Sequence, residues 1–435
     1  MTAPVPLTAV TGATTPDGPA DLRIGDGRVT RVDRPASDPP GTVENGGPRA
    51  ATHPTPGLRE TPESVALAAA GRVVLPAFVD AHVHLDKAYL LPAVEDALAA
   101  EGAELTADLS DAIATVARLR PHLPAGLVAA GAQRAVDTLS RNGTVAARAM
   151  VEIDPATGLG LLDLHRDLAD RNADRIGLQL VAFPQRGLEP PGQTGLMAAA
   201  MVEGAAVVGG CPYVDTDPAA HLDFVFDLAE RTGAPVDLHL DFSDDPSASQ
   251  IDLVAERTRA LGFAGRVAIG HATTLAAMEP AVADKAFAAL AGAGIALAVM
   301  PATDLYLAGH PRPSSAGFAT RSVAPLLRAA ELGVRVSITN NNLCNPFAPY
   351  GNGSQIQAAW LAGILFRAVG RAERRVLLDA ITANPAAVLG LPGHGPAAGA
   401  RADLVVIEAD RVEDVIVQSA PVAAVVKDGA LVHGA

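Results

Sequence analysis

The sequence predicts a closed (β/α)8 barrel, or TIM barrel, with short strands at both ends of the chain. Apolar runs of strand length alternate with helix-patterned stretches through the middle of the chain, whereas the two ends carry only short strand patterns. The 435 residues, 49% of them hydrophobic, are enough for one barrel and an appendage. A doubly wound open sheet is the rival fold.

Residues 1–75 differ from the chain that follows and predict short strands outside the barrel. An Asp-Gly pair within residues 20–32 favours a tight hairpin between two short strands. Residues 35–62 are dense in Pro and Gly and predict a surface insertion. Short strand patterns return in residues 391–435, so both ends of the chain are predicted to be β-rich.

Residues 76–390 are expected to form the barrel, in which parallel strands are buried on both faces and therefore apolar throughout. Stretches rich in Ala, Leu, Arg and Glu, such as residues 221–232 and 247–261, are typical of the intervening helices. Eight runs are predicted to be strands: residues 72–81, 144–153, 176–183, 205–210, 235–240, 266–270, 295–301 and 334–339.

Composition argues against several classes of partner and cofactor. With 33 Lys and Arg against 48 Asp and Glu, the net charge of −15 disfavours nucleic acids and anionic membranes. Two cysteines cannot form a disulfide framework or a four-thiolate metal site. Without a signal-peptide pattern or an apolar run of membrane-spanning length, a cytoplasmic protein is expected. Nucleotide-binding glycine motifs and the serine-hydrolase elbow are missing, and a homo-oligomer is left open.

Four of the eleven histidines fall at the ends of predicted strands, where barrel enzymes place their chemistry. His82 and His84 form a His-x-His pair after the first strand, and alternation along a strand turns both rings to one side. His239 ends the fifth apolar run, and His271 follows the sixth. Imidazoles gathered in this way predict a site for one divalent ion.

These motifs resemble those of the amidohydrolase superfamily, and more narrowly the branch that holds bacterial cytosine deaminase and N-isopropylammelide amidohydrolase. The first metal motif of that family is similar to residues 78–87, FVDAHVHLDK. Further similarities follow in the same order, at residues 181–185, 238–241, 270–274, 349–353, 382–386 and 402–406. The resemblance implies a (β/α)8 barrel with a small β-sandwich built from both termini, to which residues 1–75 and 391–435 would contribute the two parts.

The resemblance also implies roles for individual residues. His82, His84, His239 and His271 would surround a single divalent ion, usually Zn²⁺ or Fe²⁺. Gln185 occupies the place where cytosine deaminase holds its pyrimidine through amide hydrogen bonds.

Three residues depart from the family pattern. Asn341 stands where the family has an Asp that binds the metal and shuttles a proton, and an amide cannot take a proton from water. Phe242 replaces the Glu with which cytosine deaminase protonates its substrate, so ordinary cytosine deamination is not expected. Met150 stands where relatives carry a His and predicts a less polar pocket.

Other residues at the predicted mouth are candidates for the missing chemistry. Asp241 is the first, since strand alternation would place it on the same face as His239. Lys87 could orient a substrate oxygen, or it could form an ion pair with Asp86 or Asp80. His271 is predicted to act in catalysis as well as in metal binding.

Three functions are compatible with this pattern. The first is a hydrolase that cuts a C–N bond of a cyclic or amidine-like nitrogen compound with metal-activated water. The second keeps the pocket but runs a lyase, isomerase or cyclisation step, because Asn341 cannot relay protons. The third is a pseudo-enzyme that binds a ligand. Asn341 is either the natural residue or a replacement of the family's Asp, and the sequence leaves this open.

Overall fold

The computed structural model describes residues 3–35, 56–61, 64–308 and 322–434. The chain divides into two compact units. The terminal unit consists of Met1–Phe78, Ser140–Val145 and Pro392–Ala435, and the barrel unit of Val79–Leu139 and Ala146–Leu391.

The barrel contains eight parallel strands, each paired with its neighbours in chain order. A parallel bridge between Val83 and Asn341 joins the first strand to the segment after the eighth, so the sheet is nearly closed. The strands are β1 (Phe78–Val83), β2 (Thr144–Glu152), β3 (Gly177–Phe183), β4 (Val207–Gly210), β5 (Val236–Leu240), β6 (Val267–His271), β7 (Ala296–Val299) and β8 (Arg335–Ile338). The predicted fold class is confirmed.

Helices follow the barrel strands. Their bounds are Leu91–Ala100, Leu109–Leu119, Ala125–Arg141, Gly160–Asn172, Gln193–Val202, Pro218–Thr232, Ile251–Ala260, Thr274–Ala277, Pro280–Ala293, Pro301–Leu307, Leu326–Glu331, Gln355–Leu365, Arg371–Asp379 and Ala383–Val388. Short 3-10 helices occur at Leu85–Lys87, Arg120–His122, Pro212–Val214 and Pro246–Ala248.

Local sequence signals fix the ends of these helices, as in Pro218–Thr232. Asp217 caps its N-terminus by accepting a hydrogen bond from the Ala220 N–H at 3.0 Å, and proline occupies the first turn. The helix ends at Gly233, whose φ of +69° is accessible to glycine at little cost.

The terminal unit contains a ten-stranded, largely antiparallel sheet to which both ends of the chain contribute. Its strands are Val5–Pro6, Ala9–Thr15, Gly18–Gly25, Arg28–Asp33, Gly57–Thr61, Ser64–Ala68, Val73–Pro76, Leu404–Ile407, Val422–Lys427 and Ala430–Gly434. The predicted N-terminal hairpin is the antiparallel pair Gly18–Gly25 and Arg28–Asp33. Leu22, Val74 and Val406 are fully buried in the core of this unit.

Two expectations about this region need correction. The predicted first strand, residues 72–81, is divided at Ala77, because Val73–Pro76 pairs within the terminal sheet and Phe78–Val83 is β1. Pro76 has no N–H to continue a ladder. Most of the predicted insertion at residues 35–62 lies outside the described residues, but its end is the strand Gly57–Thr61.

Among the described residues, no helix combines the length and the apolar character that crossing a membrane requires.

Candidate metal centre and active site

Four buried histidines meet at the C-terminal ends of the barrel strands. Nε2 of His239 lies 3.1 Å from Nε2 of His82 and 3.0 Å from Nε2 of His84. One ring nitrogen each of His82, His239 and His271 lies within 4.8 Å of the others. The ring of Phe183 stacks on His239 with 4.1 Å between centroids, which fixes the orientation of that imidazole.

The donor set suits a divalent ion. Burial lowers the pKa of His82, His84 and His239, so these imidazoles are neutral, which is the form that binds metals. Nε2 of His239 carries at most one proton and cannot form a hydrogen bond with Nε2 of both His82 and His84. The side-chain oxygen of Asn341 is buried without a hydrogen-bond partner, and an ion would satisfy these nitrogens and this oxygen together.

Two carboxylates contact the outer nitrogens of these rings. Asp304 Oδ1 lies 2.7 Å from Nδ1 of His271, so it accepts the Nδ1–H and leaves Nε2 free to accept or donate a proton. Asp237 Oδ1 lies 3.4 Å from Nδ1 of His82, without hydrogen-bond geometry. Its other oxygen accepts a 2.6 Å hydrogen bond from Arg148, which is buried inside the barrel.

A buried network of two cations and two anions stands beside the histidines. Nζ of Lys87 lies 3.2 Å from Asp86 and 3.4 Å from Glu152, and Arg120 contacts the same two carboxylates at 3.4 and 3.2 Å. Burial opposes the ionisation of Asp86, but Lys87 and Arg120 hold its pKa below the ordinary value. Lys87 Nζ is also 3.5 Å from Nδ1 of His84. The ion pair with Asp86 is therefore present.

Asp241 does not continue the strand face of His239. Its φ is +52°, so the backbone turns into the left-handed region directly after β5 and the alternation ends there. The carboxylate instead accepts hydrogen bonds from Ser249 Oγ at 2.6 Å and from the Gln250 N–H at 2.9 Å. Asp241 therefore stabilises the loop that precedes the helix Ile251–Ala260.

Comparison with known proteins identifies the family. A sequence model of the amidohydrolase family matches residues 97–433. The chain belongs to the amidohydrolase family.

Relatives of this amidohydrolase include a pterin deaminase from Rhizobium rhizogenes, which is 28% identical over 352 residues, 78% of this chain and 76% of the relative. A 5-methylcytosine deaminase from Klebsiella pneumoniae, liganded with phosphonocytosine, superimposes with a TM-score of 0.83 at 25% identity over 98% of both chains. The N-isopropylammelide isopropylaminohydrolase from Burkholderia multivorans gives a TM-score of 0.78 at 26% identity, covering 98% of this chain and 97% of that one.

The resemblance seen in the sequence motifs is thereby confirmed, including the cytosine deaminase and N-isopropylammelide amidohydrolase branch. The amidohydrolase is a hydrolase that acts on carbon–nitrogen bonds other than peptide bonds. The comparisons do not favour the non-hydrolytic and ligand-binding alternatives.

The histidines of this amidohydrolase line a small inner pocket, and a larger outer chamber shares Leu109, Tyr213, Phe242 and Leu307 with that pocket. The inner pocket has a volume of about 20 Å³, and the outer chamber has one of about 880 Å³. The inner pocket is lined by His84, Lys87, Leu109, Gln185, Tyr213, His239, Phe242, His271, Thr303, Leu307, Asn341, Asn342 and Phe347. Most of the predicted site residues therefore share one pocket.

Three predicted substrate-binding residues have different surroundings. Gln185 lies at the inner pocket after β3, and its side-chain amide has no hydrogen-bond partner within the described ranges. The ring of Phe242 meets that of His271 edge to face, with 5.0 Å between centroids. Met150 is fully buried in an apolar cluster that includes Val181 and Phe183, and it does not line either cavity.

Several residues of the site were missed by sequence reasoning: Asp237, Asp304, Arg148, Arg120 and Glu152. A charged residue inside an otherwise apolar strand is a usable signal, and Arg148 in β2 and Asp237 in β5 both carry it. Asp304 follows β7 within the helix Pro301–Leu307 and gives no comparable signal, since its partner His271 is 33 residues away.

Proposed function

We propose that the chain is a metal-dependent hydrolase that cleaves the bond between a ring carbon and an exocyclic nitrogen in an amino- and oxo-substituted nitrogen heterocycle. The observation that carries this is the approach of three buried Nε2 atoms, those of His82, His84 and His239, with 3.0 and 3.1 Å separations. The printed names of the relatives, a pterin deaminase and an N-isopropylammelide isopropylaminohydrolase, agree with such a substrate.

His82, His84 and His239 would hold the ion, with the amide oxygen of Asn341 as a weak fourth donor. When bound, the ion would supply a Lewis acid that lowers the pKa of water and polarises the substrate. The identity of the ion, Zn²⁺ or Fe²⁺, stays a prediction. Asp237 Oδ1 lies 3.4 Å from Nδ1 of His82, and its charge would favour the tautomer with the proton on Nδ1, which would leave Nε2 available to the ion.

We propose that His271, which the sequence predicts to bind the metal as well, is not a ligand and takes the proton that Asn341 cannot accept. Its Nδ1–H donates to Asp304 at 2.7 Å, so the neutral ring carries its proton on Nδ1. Nε2 is then unprotonated and can act as a base. The same nitrogen could then return the proton to the leaving amine, which has the geometry of a histidine general base supported by a carboxylate. Asp241 is held by Ser249 and Gln250 and has no part in this step.

Gln185 and Lys87 would recognise the substrate ring. The amide of Gln185 offers both a donor and an acceptor to the edge of a heterocycle, as in the proposed cytosine deaminase-like role. Nζ of Lys87 already contacts Asp86, Glu152 and Nδ1 of His84, so a ring oxygen would bind to it by replacing one of these contacts. Phe242 would pack against the ring face, since it cannot protonate the ring.

Metal analysis combined with turnover tests this function. After expression with Zn²⁺ or Fe²⁺, we expect about one equivalent of metal, reduced below about a tenth in His84→Ala. Release of ammonia or amine should be seen with pterin or N-isopropylammelide, and cytosine should be a poor substrate. Asp304→Asn should lower kcat by about 10²–10⁴ with the metal content unchanged.

Asp241→Asn is the matched control, because it removes a carboxylate of the same mouth whose hydrogen bonds come from Ser249, Gln250 and Thr274 and not from the histidine rings. It should change kcat by less than about tenfold. A fully loaded protein that releases no amine from any amino heterocycle would refute the hydrolase, and loss of kcat in Asp241→Asn alone would refute the role of His271.

A further inference from the structure

A further cavity lies at the end of the barrel opposite the histidines. Its volume is about 210 Å³, and we call it the base pocket. Three of the residues that line it, Gly265, Gly294 and Gly333, each lie two residues before the start of β6, β7 or β8. The base pocket is therefore at the N-terminal ends of the strands, whereas the histidine cluster is at their C-terminal ends.

The register of the barrel strands shows which side chains face the base pocket. Asp237 of β5 lies inside the barrel, since it contacts Arg148 from β2 at 2.6 Å. Asp237 is paired with Ala268 on β6, Ala268 is paired with Ala296 on β7, and Ala296 is paired with Arg335 on β8. Directly paired residues present their side chains on the same face of a sheet. The two alanines and Arg335 therefore also face the interior, and the small alanine side chains leave the space that forms the pocket.

The charged residues that line the base pocket are all arginines: Arg148, Arg266 and Arg335. The other lining residues are glycine, alanine, valine and isoleucine, so no described carboxylate lines the pocket. Such a lining is unexpected in a chain with a net charge of −15. The charge of Arg148 is compensated, because Asp237 binds this buried guanidinium. The charges that a ligand would meet are therefore those of Arg266 and Arg335.

These two guanidinium groups have no anionic partner in the part of the chain that the structure describes. Nη2 of Arg266 donates hydrogen bonds to the carbonyl oxygens of Gly233 and Ala234 at 2.7 and 3.0 Å, which leave its charge uncompensated. Arg335 is exposed at the first position of β8, and its side chain forms no ion pair with a described residue. Two uncompensated cations at one small cavity favour an anion that carries two charges.

From this arrangement we infer that the base pocket binds a phosphate group, either as the free ion or as part of a small monoester. The N–H groups of arginine match the oxygens of phosphate in geometry as well as in charge. The volume of about 210 Å³ is below the range of about 300–1,000 Å³ that larger ligands occupy, so the ligand is small. The site does not depend on the proposed function, because it lies at the other end of the barrel.

Isothermal titration calorimetry of the full-length, metal-loaded protein with inorganic phosphate tests this inference. At low ionic strength, without excess metal and at a pH where phosphate is a dianion, we expect one phosphate per chain with a Kd below about 1 mM. Acetate carries a single charge and should bind at least about tenfold more weakly. Arg335→Gln should weaken phosphate binding by at least about tenfold, because it removes one of the two uncompensated charges.

Two further variants locate the bound phosphate. Arg259→Gln is the matched control, because Arg259 is an exposed arginine of the helix that precedes β6 and does not line the base pocket. Its affinity for phosphate should stay within about threefold of the unmodified protein. His84→Ala should lose the metal and keep its affinity for phosphate, since a phosphate bound to the ion would be lost together with it. Thermal unfolding of each variant verifies that it is folded.

The base pocket is supported if phosphate binding is weakened in Arg335→Gln but kept in Arg259→Gln and His84→Ala. A repeat of the titration with glycerol 3-phosphate then identifies the source of the group, since a small ester as the ligand should bind more tightly than the free ion. No binding to the unmodified protein, or equal binding to Arg335→Gln, overturns the inference. Loss of binding in His84→Ala places the phosphate at the metal centre, and acetate that binds as tightly as phosphate excludes a site for a dianion, so either result also overturns it.

Discussion

Asn341 is the residue at which this site differs most from its family pattern. Its backbone is left-handed, with a φ of +57°, and closes the barrel through hydrogen bonds with His82 and His84. Its side-chain oxygen is buried without a partner. A carboxylate at this position would have the same shape, but it would bring a full charge beside the histidines.

Asn341→Asp should therefore strengthen metal binding and lower the free energy of unfolding of the metal-free protein. A charged oxygen ligand should lower the dissociation constant for Zn²⁺ by about tenfold or more. Without metal, the unpaired buried carboxylate should reduce the free energy of unfolding by at least about 1 kcal/mol. Competition titration with a chromogenic chelator measures the first effect, and urea denaturation of the metal-free protein measures the second.

Asn342→Asp is the control for this substitution. Its side-chain oxygen already accepts a 2.6 Å hydrogen bond from Asn345, so a charge there should disturb the loop without tightening the ion. Equal metal affinity in Asn341→Asp and the unmodified protein would show that the oxygen of Asn341 does not face the ion.

Sequence patterns predict some residues of the site and not others. The histidines could be predicted, because a His at the end of an apolar run gathers with others at the barrel mouth. Asp241 was predicted wrongly as a neighbour on the face of His239, since alternation holds only while the backbone remains extended and Asp241 has a φ of +52°. The support of His271 by Asp304 depends on tertiary contact and has no local pattern.

Among the elements, the loop after β3 determines where Gln185 lies. Asp215 accepts hydrogen bonds from the Leu188 N–H at 2.9 Å and from His221 at 2.6 Å, and so anchors this loop to the segment after β4. Gly187, with a φ of +76°, lies against Asp215, and a Cβ at that position would overlap the carboxylate. The glycine is required for both its conformation and its contact.

Gly187→Ala should therefore displace the loop that carries Gln185. The left-handed backbone alone costs about 1–2 kcal/mol for alanine, and the overlap with Asp215 should add at least about 1 kcal/mol. We expect a raised KM with a smaller change in kcat, because substrate binding is affected more than proton transfer. Steady-state kinetics and urea denaturation measure the two effects.

Gly192→Ala isolates the contact from the backbone strain. Gly192 has a similar φ of +83°, but a Cβ there meets no atom within 4 Å. In Gly192→Ala, the free energy of unfolding should fall only by the cost of the left-handed backbone, and the KM should stay unchanged. If the two variants behave alike, Asp215 does not position the loop.

For the molecule as a whole, the order of apolar runs was sufficient to predict the barrel. All eight strands lie within or close to the predicted runs, because strands buried on both faces leave a continuous apolar signal. The division between β1 and the preceding strand Val73–Pro76 was not visible, since both segments are apolar and only the pairing partners differ. The pocket is also a product of the whole fold, since its lining comes from segments between His84 and Phe347.

The metal should contribute to the stability of the entire barrel. Its proposed ligands come from β1, the segment after it and β5, so an ion would tie together parts of the chain that separate on unfolding. An ion present at about 100 times its dissociation constant stabilises the folded state by about 2.7 kcal/mol. For a chain of this size, we expect chelation to lower Tm by at least about 2 °C, and Zn²⁺ to restore it.

Variants of histidines inside and outside the cluster test this coupling. His82→Ala should remove the response of Tm to chelator, whereas His122→Ala, an exposed residue outside the pocket, should keep the full response. Differential scanning calorimetry with and without chelator gives both values. Metal analysis must first show a full equivalent of ion in the loaded, unmodified protein. If its Tm then equals that of the chelated protein, the ion is not bound by residues from separate strands. Ligands that bridge strands would stabilise the folded state and so raise the Tm.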